Sequence, residues 1–174
     1  MGAYSVVLSD SKILDRVTGF KSVVVLGCRY CANASIAYDK GIPLSRILVD
    51  KNTGETVEEP VAVMEEANRL KALLESKGIN ARVEMWPDGP CALSADSDPA
   101  YLELADRCTD AEGVVTLCCV GGTLGVKRYL GKTAKIISGM RTVGVFQLYT
   151  ILDEAKEFVC IDKDKSRMIR MFKA

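Results

Sequence analysis

A chain of 174 residues is long enough for a single domain with a full hydrophobic core, and 48% apolar with 26% charged residues is a globular mixture, not a disordered one. Lysine plus arginine balances aspartate plus glutamate at 23 each, so no net field is available to hold a polyanion, and the scattered basic residues argue against a nucleic-acid binder. Histidine is absent, which excludes Ser-His-Asp and Cys-His catalysis, imidazole metal ligands and a histidine proton shuttle.

In chain order, residues 4–8 form a short apolar run followed by a polar, helical lead-in to residue 18. Ser22–Cys28 (SVVVLGC) is β-branched and suits a buried parallel strand. It runs into GCRYCANASIAYDKG, where residues 32–38 predict a helix ending near Gly41. SRILVDKNTGETV alternates around Asn52-Thr53-Gly54 and predicts a hairpin or an irregular flap. Residues 61–77 predict a helix with Met64, Ala67, Leu70, Leu73 and Leu74 on one face, closed at Gly78. Residues 79–86 alternate as a strand, and the Trp86-Pro-Asp-Gly-Pro-Cys91 run then puts Cys91 on a loop.

A further helix starts with Asp98 as N-cap and Pro99 at its first position. Residues 113–119 (GVVTLCC) read as a second buried strand, followed by Val120-Gly121-Gly122 and a helix through Leu130. Lys135–Ser138 is a short strand, and residues 142–149 are either a strand or the start of a helix ending near Lys156. The tail predicts a β-hairpin turning at residues 163–165, its basic residues interleaved with Asp162 and Asp164 as a solvated turn. The expectation is one α/β domain over residues 1–174. It is a doubly wound, mostly parallel sheet of Rossmann or flavodoxin type with a small C-terminal β-hairpin.

No apolar run approaches the ~20 residues that span a bilayer, and MGAYSVVLSDSK lacks the charged start and apolar core of a signal peptide. A cytoplasmic location with reduced thiols is therefore expected. Seven cysteines in that setting point to metal binding, redox chemistry or core packing before disulfides. Cys28 ends one predicted strand, and Cys118 and Cys119 end another. Cys31 lies one turn past Cys28 and Cys91 follows the 79–86 strand, so all five fall on one rim of the sheet, where α/β sheets bind ligands. A C-x-x-C pair presents two thiolates to one metal ion, and Cys91 and Cys118 complete a set of four, with Cys119 as the substitute for Cys91. Such a set suits a [4Fe–4S] cluster, or zinc as the alternative, with the glycine amides near the helix start supporting thiolate charge.

Cys108, on an apolar helix face, and Cys160, in an alternating strand, read as packing residues. Gly121-Gly122-x-x-Gly125 is an incomplete phosphate-loop pattern and reads better as room for a centre bound beside it. Asp88, Asp96 and Glu112 read as turn or surface residues. An alternative chemistry is a thiol–disulfide oxidoreductase using Cys28 and Cys31, with Pro87 or Pro90 nearby.

The runs VVVLGCRYCANASIAYDKG, LLESKGINARVEMW, the lone Cys91 and VVTLCCVGGTLGVKRYLG together resemble the cysteine-rich domain or small subunit that accompanies bacterial methylenetetrahydrofolate reductases. The resemblance covers Ser22 to about Ser138 and matches Cys28, Cys31, Cys91 and Cys118, with Gly121 and Gly122 loosely aligned as cofactor-binding positions. It implies an iron–sulfur or metal accessory protein of anaerobic one-carbon metabolism. Such a protein carries electrons for, or supports, a methylenetetrahydrofolate reductase-like or corrinoid methyl-transfer partner. The position after Cys118 departs from the family's glycine. A second C-terminal cysteine block is missing, as in a shortened relative.

Overall fold

The computed structural model describes residues 2–50, 53–86, 89–91 and 99–172, and shows eleven strands and five helices among them. The centre is a four-stranded parallel sheet of β2 (Ser22–Cys28), β5 (Asn80–Trp86), β6 (Gly113–Leu117) and β7 (Lys135–Ser138), in the order β5-β2-β6-β7. Residues 23–28 of β2 and all of β6 are buried without alternation, because both faces of the sheet are covered. On one side lie α2 (Cys31–Lys40) and α3 (Ala62–Glu75), packed on each other; α4 (Pro99–Cys108) and α5 (Val120–Leu130) form a second packed pair. Helix α1 (Asp10–Val17) buries Ile13 and Val17 into the same core.

The remaining strands overturn the expectation of a doubly wound, mostly parallel fold. β1 (Gly2–Val7), β8 (Met140–Gln147) and β11 (Arg167–Arg170) make a three-stranded antiparallel sheet with β8 in the middle. β3 (Ser45–Val49), β4 (Thr56–Pro60), β9 (Thr150–Asp153) and β10 (Phe158–Ile161) make a four-stranded antiparallel sheet, in the order β4-β3-β10-β9. The chain is thus a mixed α/β protein with one parallel and two antiparallel sheets. The expected C-terminal hairpin does not form either: β10 pairs with β3 and β9, while β11 pairs with β8. The alternation that reveals a strand carries no information about a partner more than a hundred residues away. Of residues 142–149, read as a strand or the entry to a helix ending near Lys156, 142–147 lie in strand β8, and residues 150–156 hold β9 and a turn. Asp98, Asp88, Asp96 and Pro87 lie outside the described residues.

Two buried polar side chains fix how α2 sits, and therefore where the rim cysteines fall. Asn33, 2% exposed, donates to the Leu44 carbonyl and accepts from the Val63 amide, each at 2.8 Å, tying α2 to the starts of β3 and α3. Glu66, 1% exposed, sits on the face of α3 read as apolar from the sequence. Burial pushes its carboxyl up, but Arg69 and Lys40 outweigh that and hold it below the usual carboxylate range. Arg69 also reaches Asp10 at 2.8 Å, so one network clamps α1, α2 and α3 together. Among the described residues no helix is long and apolar enough to cross a membrane.

Candidate metal centre

In the order β5-β2-β6-β7 the chain leaves β2 for β5 on one side and comes back to β6 on the other. The connections therefore part above the carboxyl ends of β2 and β6 and leave a crevice there. Cys28 is the last residue of β2 and Cys31 the first of α2. β6 ends at Leu117, so Cys118 and Cys119 have left the strand and are free of the alternation that would send adjacent side chains to opposite faces. Cys119 is the N-cap of α5. Cys91, exposed on its loop, touches the same crevice: a Cβ on Gly121 would lie 3.5 Å from the Cys91 Cβ and 4.0 Å from the Cys119 sulfur. All five rim cysteines expected from the sequence are thus brought together. Cys108 lies instead in the core at the end of α4, its thiol pushed up by burial to about 11, and Cys160 lies in β10 opposite Ile151.

The thiols interact in pairs that cut across the C-x-x-C motif. The Cys118 thiol donates to Cys28 and, with the Tyr30 and Ala32 amides, holds it below the usual thiol range against the opposing effect of burial. Cys118, 1% exposed, is correspondingly pushed up. Cys31 donates to Cys119, which is drawn down to about 6, although burial opposes this and the Gly122 and Gly121 amides assist. The Gly122 amide reaches the Cys119 sulfur at 3.5 Å. Cys31 itself is pushed well above the ordinary range, because ionising it would remove the bond to Cys119 and set two thiolates side by side. In the Cys31–Cys119 pair the charge therefore sits on Cys119 and the proton on Cys31 near neutral pH, and in the Cys28–Cys118 pair Cys28 is the thiol that ionises first.

A depressed thiol keeps its charge above its folded pKa and loses it as pH falls through that value. Reduced, metal-free protein should therefore show a thiolate absorbance step at ~240 nm centred near pH 6. Cys119→Ser should remove that step, and a first step only above pH 8 in the unaltered protein would refute the assignment.

The glycines expected to bind a cofactor act here through their amides and their missing side chains. A Cβ on Gly122 would approach the Cys118 Cβ to 2.9 Å and the Pro90 Cγ to 3.1 Å, so the crevice closes only around glycine. On the far side Trp86, in register with Cys28, stacks edge-on with Tyr101 at 5.1 Å and leans on Tyr129 at 5.9 Å, forming an aromatic wall.

Among the described residues, no three or more His, Cys, Asp or Glu side chains are arranged to hold a metal ion as they stand. The thiols instead hydrogen-bond to one another in two pairs, Cys28 with Cys118 and Cys31 with Cys119. The donor chemistry nonetheless fits a thiolate-bound centre: an all-sulfur set from three loops, with two amides aimed at one sulfur. Cys28 and Cys118 both lie in the core, whereas Cys119, which the sequence holds in reserve for Cys91, caps α5 and accepts from the Gly122 amide. The available signal was its place directly before Val-Gly-Gly at a helix start. Sequence reasoning missed a cleft beside Cys31, built by residues from five elements spread along the chain. No protein-family model, curated protein or solved structure matches this chain.

Proposed function

We propose that the crevice holds an iron–sulfur cluster through Cys28, Cys31, Cys91 and Cys119, with zinc as the alternative occupant, and that the protein carries electrons for or supports a partner reductase. The observation that carries this reading is the convergence of five thiols from three separate loops, with no histidine available anywhere in the chain. When bound, a cluster supplies one-electron transfer. The chain's own residues do the rest. The Gly121 and Gly122 amides offset charge on the Cys119 sulfur, which favours a reduced centre. Trp86, Tyr101 and Tyr129 keep water from one side. Cys91, on the exposed loop, leaves an open edge toward a partner. The link to a methylenetetrahydrofolate reductase-like or corrinoid methyl-transfer partner in anaerobic one-carbon metabolism rests on the sequence resemblance alone. Co-purification from an anaerobe with a flavin- or corrinoid-containing enzyme supports it, and a stoichiometric centre with no such partner removes it.

A second reading is favoured by the thiol pairing itself. A dithiol oxidoreductase would use Cys31 with Cys119, not Cys28 with Cys31. The two thiols would lose two electrons and two protons to form one S–S bond while a partner disulfide becomes two thiols. Peptide mapping after oxidation of metal-free protein with oxidised dithiothreitol decides between the pairs: a Cys31–Cys119 bridge supports this version, and a Cys28–Cys31 bridge rejects it.

A further inference from the structure

A cleft of about 750 Å³ opens beside Cys31, between the first turn of α2, the β3–β4 hairpin and the end of β8. That volume is the size of a small-molecule site, far larger than a packing void. Its walls are mainly apolar, with Tyr30, Leu44, Val57, Pro60, Phe146 and Leu148 facing it. Two charged groups line it, and they are not equivalent. The Glu58 carboxylate accepts from Ser45 Oγ through one oxygen, which holds it toward β3. Arg29 makes one hydrogen bond, from Nη2 to the Glu58 carbonyl at 3.1 Å, and among the described residues has no carboxylate partner, so most of its donors remain for a ligand. At the inner end the backbone of Gly2 passes so close that an added Cβ would lie 2.8 Å from the Phe146 ring and 3.3 Å from the Cys31 sulfur. The aromatic floor and a ligand sulfur of the centre thus meet at one point.

We infer that this cleft binds a small planar organic anion, its ring against Phe146 and Leu148 and its acid group on Arg29, with the ring's inner edge beside Cys31. The position of that edge beside a ligand of the centre rests on the function proposed above; the anion's binding does not. The test is fluorescence titration of the reduced, oxygen-free protein with two probes. One is 8-anilinonaphthalene-1-sulfonate, and the other is its uncharged relative N-phenyl-1-naphthylamine.

One saturable site per chain is expected for both. Val57→Asp, at an exposed position of β4, puts a carboxylate into the cleft and should weaken the sulfonate about tenfold or more. Arg29→Gln should weaken the sulfonate about tenfold and the uncharged probe less than about twofold. Absence of binding, or wild-type affinity in Val57→Asp, overturns the site and points to the exposed Ile169, Met171 and Phe172 instead. Equal loss of both probes in Arg29→Gln overturns the anionic class. Iron and sulfide assayed on the same samples report the centre separately: protein without a centre that still binds the sulfonate upholds the cleft and rejects the function proposed above.

Discussion

Serine at Cys28, Cys31 or Cys119 is expected to cut the metal content of anaerobically prepared protein to below about a tenth of the unaltered level, because a neutral hydroxyl replaces a thiolate ligand. Cys108→Ser and Cys160→Ser should keep full content, since neither sulfur reaches the crevice. The informative comparison is Cys91→Ser against Cys118→Ser. Cys91 is exposed at the crevice and belongs to the proposed ligand set, so its loss should lower metal content as the other ligands do. Cys118 is 1% exposed within the core, so its replacement should cost about 1–3 kcal/mol for a buried hydroxyl while leaving metal content above half. The reverse order would return Cys118 to the ligand set and exclude Cys91.

The second large effect concerns how that loop is held. Gly125 lies on α5 where an added Cβ would fall 1.6 Å from the Pro90 carbonyl oxygen, a backbone atom that cannot step aside as a flexible side chain would. Gly125→Ala must therefore push the Cys91 loop off α5. Overpacking of this kind costs about 1–3 kcal/mol, which for a chain of this size lowers Tm by about 3–10 °C. The same displacement should speed alkylation of Cys91 by iodoacetamide in metal-free protein and lower metal content. An unchanged Tm with unchanged Cys91 labelling would mean that the loop is not packed on α5 as described.

Much of this was legible because it is local. Ser22–Cys28, whose β-branched run marks a buried parallel strand, and Lys135–Ser138, read as a short strand, both appear with those bounds. Pro99 opens α4 as its fixed φ predicts. What escaped the reading is long-range. Residues 4–8 and 142–149 gave no sign that the chain's two ends would pair, with Gly2 opposite Phe146. Cys160 and its neighbours alternate as a strand should, yet pair with β3 rather than with β11. Glu66 reads as a surface charge until Lys40 and Arg69 are placed around it.

The site follows the same division. The rim placement of the cysteines came from strand ends, which are local. Which thiol faces which did not, because Cys31 meets Cys119 only after the N-termini of α2 and α5 have been brought to one crevice. The cleft was invisible for a similar reason: Arg29, Val57 and Phe146 share no pattern in the chain.

The account stands on the thiols of one crevice binding a metal centre together. Its most direct test is iron, zinc and acid-labile sulfide content, with an absorption spectrum, on protein purified without oxygen. It predicts about four irons and about four sulfides per chain with a broad band near ~400 nm, and about one zinc without sulfide would keep the ligands but change the chemistry. Fully reduced, folded protein with neither metal nor sulfide would contradict it, and would leave the Cys31–Cys119 dithiol as the chemistry of the crevice.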